Sequence, residues 1–279
     1  MRLRRVWACS NRTDRPRQRK DGVAGCVEPP SMSRAPQHLQ FFGSQPLQLL
    51  HECAATEAAK GAQSPCQQLA RLDRRPQLGF GNPHGPLLFL SPSPIDPESA
   101  SDAAFEAWLE RESNLEHQFR WEVVQPYFQF SQRVFAGLRE RLSLPHAKRD
   151  ALDFAFHTWA VRCPTGNPDR VTDPALTQCV TRHLEPIVKR VAPQAIVAMG
   201  GTTAAYFWQR AISGWKAWRP IEQLHGKTLA YHFDGRSIPV ILSVHPFQRG
   251  LDLHPEVIAH ALSTCLRPED LEPRILQAA

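Results

Sequence analysis

Four cysteines, Cys53, Cys66, Cys163 and Cys179, stand where two loops could close on one metal centre. Cys163 and Cys179 bracket Pro164-Thr165-Gly166-Asn167-Pro168-Asp169-Arg170 and the first turn of the helix expected to follow, while Cys53 and Cys66 come from the N-terminal region. Four thiolates at tetrahedral positions suit zinc or an iron–sulphur cluster, and spacing alone does not separate the two. The tight CxxC pair of most zinc modules is missing from both halves, so cysteines scattered through a core are the rival reading. Of the other three, Cys9 and Cys26 lie near the start of the chain, and Cys265 sits alone in an apolar helix, where a small buried residue is the ordinary explanation.

A second group of residues suits charge stabilisation and stacking. His245 follows an apolar run and precedes Pro246, so it projects from a strand end, where an imidazole can stabilise negative charge developing on a leaving group; a loop histidine bonded to backbone is the plain alternative. Gly200-Gly201-Thr202-Thr203 at a strand-to-helix junction offers backbone N–H groups to a phosphate, although close packing of strand on helix explains glycines equally well. Phe119, Trp121, Tyr127, Phe128, Phe130 and Phe135 crowd one segment; a flipped base could stack there, but a helix buried in the core accounts for them too.

The elements that must position these residues are readable from pattern. Leu47, Leu49, Leu50, Cys53 and Ala54 recur at helical spacing from Gln45 to about Gly61, and Cys66 follows a polar turn. Leu87 to Leu90 is a short continuous apolar run ending in Ser-Pro-Ser-Pro, as expected of a strand buried on both faces. Helices are expected over Ala103 to Glu112 and Glu116 to Leu142, and a strand over about Phe154 to Val161. A helix from Pro174 to Val191, with proline in its first turn, leads to a strand from Ala195 to Met199, after which Thr202 opens another helix. Strands at Thr228 to Phe233 and Ile238 to Val244 flank an Asp234-Gly235 turn, and a helix over Pro255 to Leu266 closes the series. Strands alternating with helices imply an α/β fold of three layers, α/β/α, around a short, mainly parallel central sheet. In such sheets ligands bind beyond the carboxyl ends of the strands. Here those ends are Ser91 to Asp96, Trp159 to Asn167, Gly200 to Thr203 and Val244 to Arg249.

Charge and composition bound the class of protein. The net charge of +6 and pI near 9.1 are concentrated at the start: residues 1–31 hold eight basic side chains against three acidic ones, leaving 25 against 24 beyond. A body so nearly neutral makes the overall pI weak support for a nucleic-acid partner. Residues 1–36 read as a disordered basic tail or an over-extended start, with Met32 as an alternative first residue, and 37–279 as the folded domain. No apolar run approaches the roughly 20 residues of a membrane helix, and no secretory pattern opens the chain, so a cytoplasmic monomer is expected. Thiols in that compartment stay reduced, which turns the cysteines towards metal or burial rather than disulphides.

Taken in order, these pieces resemble the iron–sulphur branch of the uracil-DNA glycosylase superfamily, the thermostable family four type, over about residues 50 to 266. Val161-Arg162-Cys163-Pro164-Thr165-Gly166-Asn167-Pro168-Asp169 resembles that family's cysteine followed by a proline-rich Gly-Asn loop, with Cys179 15 intervening residues later. Ile196 to Ala205 resembles its strand ending in glycine before a Thr-Ala-Ala helix start. Leu224-His225-Gly226-Lys227, then Ile238-Pro239-Val240-Ile241 to His245-Pro246, resemble its closing hairpin and His-Pro motif. Gly81-Asn82-Pro83 resembles its approach to the first strand, and Cys66 with Leu69 and Arg71 its second cysteine. The resemblance implies a 4Fe-4S cluster of structural role on the four cysteines, with zinc as the alternative, and an enzyme that flips a base out of DNA and hydrolyses its N-glycosidic bond. It implies His245 and an acid such as Asp96 as catalytic groups, a base pocket at Ser91, Pro92, Ser93 and Trp159, and DNA contacts at Gly200, Thr202, Thr203, Phe247 and Arg249. The chain departs from the family at three places. Pro92 stands where the family has its water-activating acid, with Asp96 or Glu98 the nearest substitutes and neither in register. Trp159 stands where an asparagine reads uracil, and a ring cannot accept the same hydrogen bond. Cys53 and Cys66 are separated by 12 residues instead of two. A non-catalytic iron–sulphur DNA-binding or damage-sensing member of the same fold is therefore the alternative expectation.

Overall fold

Continuous apolar runs can be buried only between two layers, and the strands occupy that position. The computed structural model describes residues 41–42, 45–66, 78–94, 121–144, 154–165, 171, 173–211, 220–246 and 254–271. These belong to one unit, Ser33–Ala279. Among the described residues the helices are α1 (Gln45–Ala59), α2 (Trp121–Leu142), α3 (Asp173–Cys179), α4 (Glu185–Val191), α5 (Gly201–Ala211), α6 (Ile221–Leu224) and α7 (Pro255–Cys265). The strands among them are β1 (Phe80–Gly81), β2 (Leu87–Ser91), β3 (Ala155–Trp159), β4 (Ala195–Met199), β5 (Thr228–Phe233) and β6 (Arg236–Ser243). The expected helix over Ala103 to Glu112 lies outside the described residues.

The strands form a mixed sheet in the order β1-β3-β2-β4-β6-β5. The four central strands are parallel, and β1 and β5 pair antiparallel at the edges. β2, β3 and β4 are buried along their whole length, as strands covered on both faces must be. One face packs Leu87, Phe89, Val197 and Ile241 against Phe130, Val134 and Leu138 of α2 and Ile258 and Leu262 of α7. The other packs Leu88, Leu90, Phe156, Ile196 and Val240 against Leu50 of α1, Leu176 of α3, Val188 of α4 and Phe207 of α5. The expected α/β/α layering is therefore what the chain forms.

Where one helix was expected from Pro174 to Val191, there are two, joined by a π turn at Val180–Leu184 in which the Glu185 N–H bonds to the Val180 carbonyl. Pro186 supplies the reason: it has no N–H for the Arg182 carbonyl, and its ring crowds that carbonyl, so the preceding turn widens. No helix among the described residues is long and apolar enough to cross a membrane.

Candidate functional site

From β2 the chain passes to β3 on one side and then to β4 on the other, so the loops leaving β2 and β4 diverge from a switch point in the sheet. Pro92 and Gly200 are the first residues of those two loops. A side chain on Gly200 would lie 3.2 Å from Pro92 Cγ and 3.5 Å from His245 Cδ2. Three loops remote in sequence thus converge on one point. Gly200 is needed there twice over: its φ is +87°, in the region disfavoured for other residues, and there is little room for a Cβ. Its N–H donates to the Ser243 carbonyl at 2.8 Å, tying the end of β4 to the strand that delivers His245. His245 is half-buried, and burial lowers its pKa to about 4, so the imidazole is neutral at neutral pH.

The expected base-pocket residues are also adjacent. Ser91 pairs with Trp159 in the β2–β3 register, and the ladder continues as Ala160 N–H donates to Ser91 O and Val161 N–H to Pro92 O, both at 2.8 Å. Ser93 Oγ and Thr165 Oγ1 share a buried hydrogen bond of 2.6 Å that fastens the β2 loop to the loop after Cys163. Trp159 is buried and packs on the α2–α7 side of the sheet. Thr203 is fully buried at the start of α5, Thr202 is half-buried, and a side chain on Gly201 would meet nothing within 4 Å. Asp96, Glu98, Phe247 and Arg249 lie outside the described residues.

The four cysteines gather on the other side of the sheet. Burial raises the Cys163 thiol to about 12, with further increments from Cys179, Cys66 and Cys53. Burial likewise raises Cys66 to about 11, followed by Cys179, Glu57 and Cys53. The four thiols therefore lie within electrostatic reach of one another. Among the described residues no group of three or more His, Cys, Asp or Glu side chains is drawn tightly enough to hold a metal ion as it stands. The donor set is nevertheless the soft, all-sulphur kind that suits an iron–sulphur cluster or zinc. It is accompanied by hydrogen-bond donors to sulphur, the Arg162 N–H to Cys179 Sγ at 3.3 Å and Arg182 Nη1 near Cys53 Sγ at 3.9 Å. Both features fit such a group.

Glu57 was not singled out from sequence, yet it joins the halves of this centre. It lies one helical turn beyond Cys53 and is buried. It accepts from Lys60 Nζ at 2.6 Å, Ser64 Oγ at 2.7 Å, Gln178 Nε2 at 2.7 Å and Arg182 Nη1 at 3.4 Å. Ser64 Oγ in turn accepts the Cys66 N–H at 3.0 Å. Burial acts to raise the carboxyl pKa, but the bonds from Lys60, Ser64 and Gln178 outweigh it and hold the group at about 2. The signal available in sequence was the i, i+4 spacing from Cys53, which is too common to have marked it. Comparison with protein-family models gives no match, and comparison with curated proteins gives none either.

Proposed function

We propose that this chain is a DNA-glycosylase-like protein that draws an altered base, uracil or another, into the crevice above β2, β4 and β6 and hydrolyses its N-glycosidic bond. The observation that carries the reading is the meeting of Pro92, Gly200 and His245 at the switch point of the sheet. In the hydrolysis the bond from the sugar C1′ to the base nitrogen breaks, the electron pair leaves with the base, and water adds its hydroxyl to C1′ and its proton to the products. A neutral His245 can donate an N–H hydrogen bond to the departing base and stabilise its negative charge without giving up its proton. The first turn of α5, Gly201 to Thr203, presents backbone N–H groups suited to a DNA phosphate. Asp96 is the acid that positions the water.

Cys53, Cys66, Cys163 and Cys179 would hold a 4Fe-4S cluster, or zinc in its place. Bound there, the group supplies a cross-link between α1, the loop after β3 and α3. A second reading, a DNA-binding or damage-sensing protein without catalysis, is favoured by one observation. Ser91, Pro92, Ser93 and Trp159 are all buried, and no described residue at the four strand ends is a carboxylate.

A single-turnover excision assay on anaerobically purified protein, with DNA containing uracil, hypoxanthine or xanthine, tests the proposal. Excision that disappears in His245→Ala, with the fold and DNA affinity retained, supports a glycosylase. DNA binding without excision of any of the three supports the second reading, and neither binding nor excision rejects both.

A further inference from the structure

Arg162 follows β3, one residue before Cys163, and is the bulkiest fully buried side chain among the described residues. Its Nη1 donates to the Leu78 carbonyl at 2.7 Å and to Thr158 Oγ1, and the Thr158 hydroxyl donates to the same carbonyl at 2.7 Å. Nε and Nη2 have no hydrogen-bond partner among the described residues. Nor does a carboxylate among them pair with the guanidinium, since Glu57, the buried acid beside the cysteines, is occupied by Lys60, Ser64, Gln178 and Arg182. A buried cation is strongly disfavoured unless opposite charge lies close to it. Among the described residues the neighbouring group able to carry negative charge is the Cys179 sulphur, which accepts the Arg162 backbone N–H at 3.3 Å.

We infer that the Arg162 guanidinium is the buried counter-charge of the four-cysteine centre, a positioning residue that sets the centre's reduction potential and its hold on iron. This rests on the reading of that centre as an iron–sulphur site. Four thiolates give such a centre net negative charge, and one-electron reduction adds one more; a fixed positive charge alongside favours the reduced state and so raises the potential.

The test uses the full chain, wild type and the variants Arg162→Gln, Arg162→Met and Arg162→Lys, purified anaerobically. Iron and sulphide are measured per chain, the midpoint potential by titration with dithionite, and iron loss by challenge with a chelator. The neutral variants are expected to show a lower potential and roughly tenfold to a hundredfold faster loss of iron, the range that partners around a metal commonly carry. Arg162→Lys is expected to restore most of the potential. Thr158→Asp keeps the arginine but gives it a carboxylate partner, and its potential must also fall, which maintains the test if the neutral variants do not fold. Iron-loaded, folded variants with the wild-type potential overturn the role of Arg162 alone. A wild-type chain that binds no iron removes the cluster reading and this inference with it.

Discussion

On the α2–α7 face of the sheet, β3 buries His157 between the Phe89 ring, stacked at a centroid distance of 4.8 Å, and Ser131 Oγ, 3.0 Å from Nε2. On the opposite face, the end of the same segment buries Arg162 beside the cysteines. Burial lowers the His157 pKa to about 3, so this residue stays neutral; Arg162 is also lowered by burial, to about 10, and remains charged at neutral pH. The apolar face therefore tolerates a polar group only by keeping it uncharged. The cysteine face accepts charges because it is cross-linked by ionic hydrogen bonds around Glu57 and by sulphur near Arg162. The crevice at the strand tips is a third case, positioned by backbone ladders and one glycine, with a neutral imidazole, His245, where its loops meet.

If the cysteine face is held by a metal and its charged partners, the largest effect should come from Cys163→Ser or Cys179→Ser. Each should lose the bound iron and the stability of the loop around Thr165; unchanged iron content in both variants would refute the ligand assignment. Next in size, Glu57→Ala should destabilise the fold by about 2–3 kcal/mol, because it leaves several donors without their acceptor, some of them partly solvated and so less costly. Denaturant unfolding checks this, and a loss under about 0.5 kcal/mol would mean that the two halves of the centre dock without Glu57.

On the apolar face the lever is pH. Between a folded pKa of about 3 and an unfolded value near 6.5, the unfolded chain takes up a proton at His157 that the folded chain refuses. Stability should therefore be independent of this group above pH 6.5 and fall below it, by about 1.4 kcal/mol per pH unit for this one proton. His183 and His245, lowered to about 4, add to the slope in the same direction. His157→Gln should make the decline shallower by about one proton's worth, and an unaltered slope would show that His157 is not buried neutral.

The smallest effect is expected at the crevice. Gly200→Ala should cost about 1–2 kcal/mol from its positive φ and push against Pro92 and His245, which thermal unfolding can measure. A neutral or stabilising substitution would mean that the three loops do not meet as closely as described.

The strands were legible in the sequence because a run such as Leu87 to Leu90 or Ala195 to Met199 has no stable place except between two layers, and because Asp234-Gly235 encodes a hairpin locally. The same logic placed His245 and Gly200 at strand ends, and hence in the loops where a ligand can bind. The π turn was legible in principle through Pro186, which breaks the helical hydrogen-bond pattern by itself. What only the tertiary structure decided is which distant groups satisfy one another. Glu57 finds Gln178 and Arg182 more than a hundred residues away, and Arg162 finds Leu78 and Cys179. Periodicity describes which side of an element is buried; it carries no record of the partner that a buried charge meets there, because that partner is set by the packing of layers and not by neighbours along the chain.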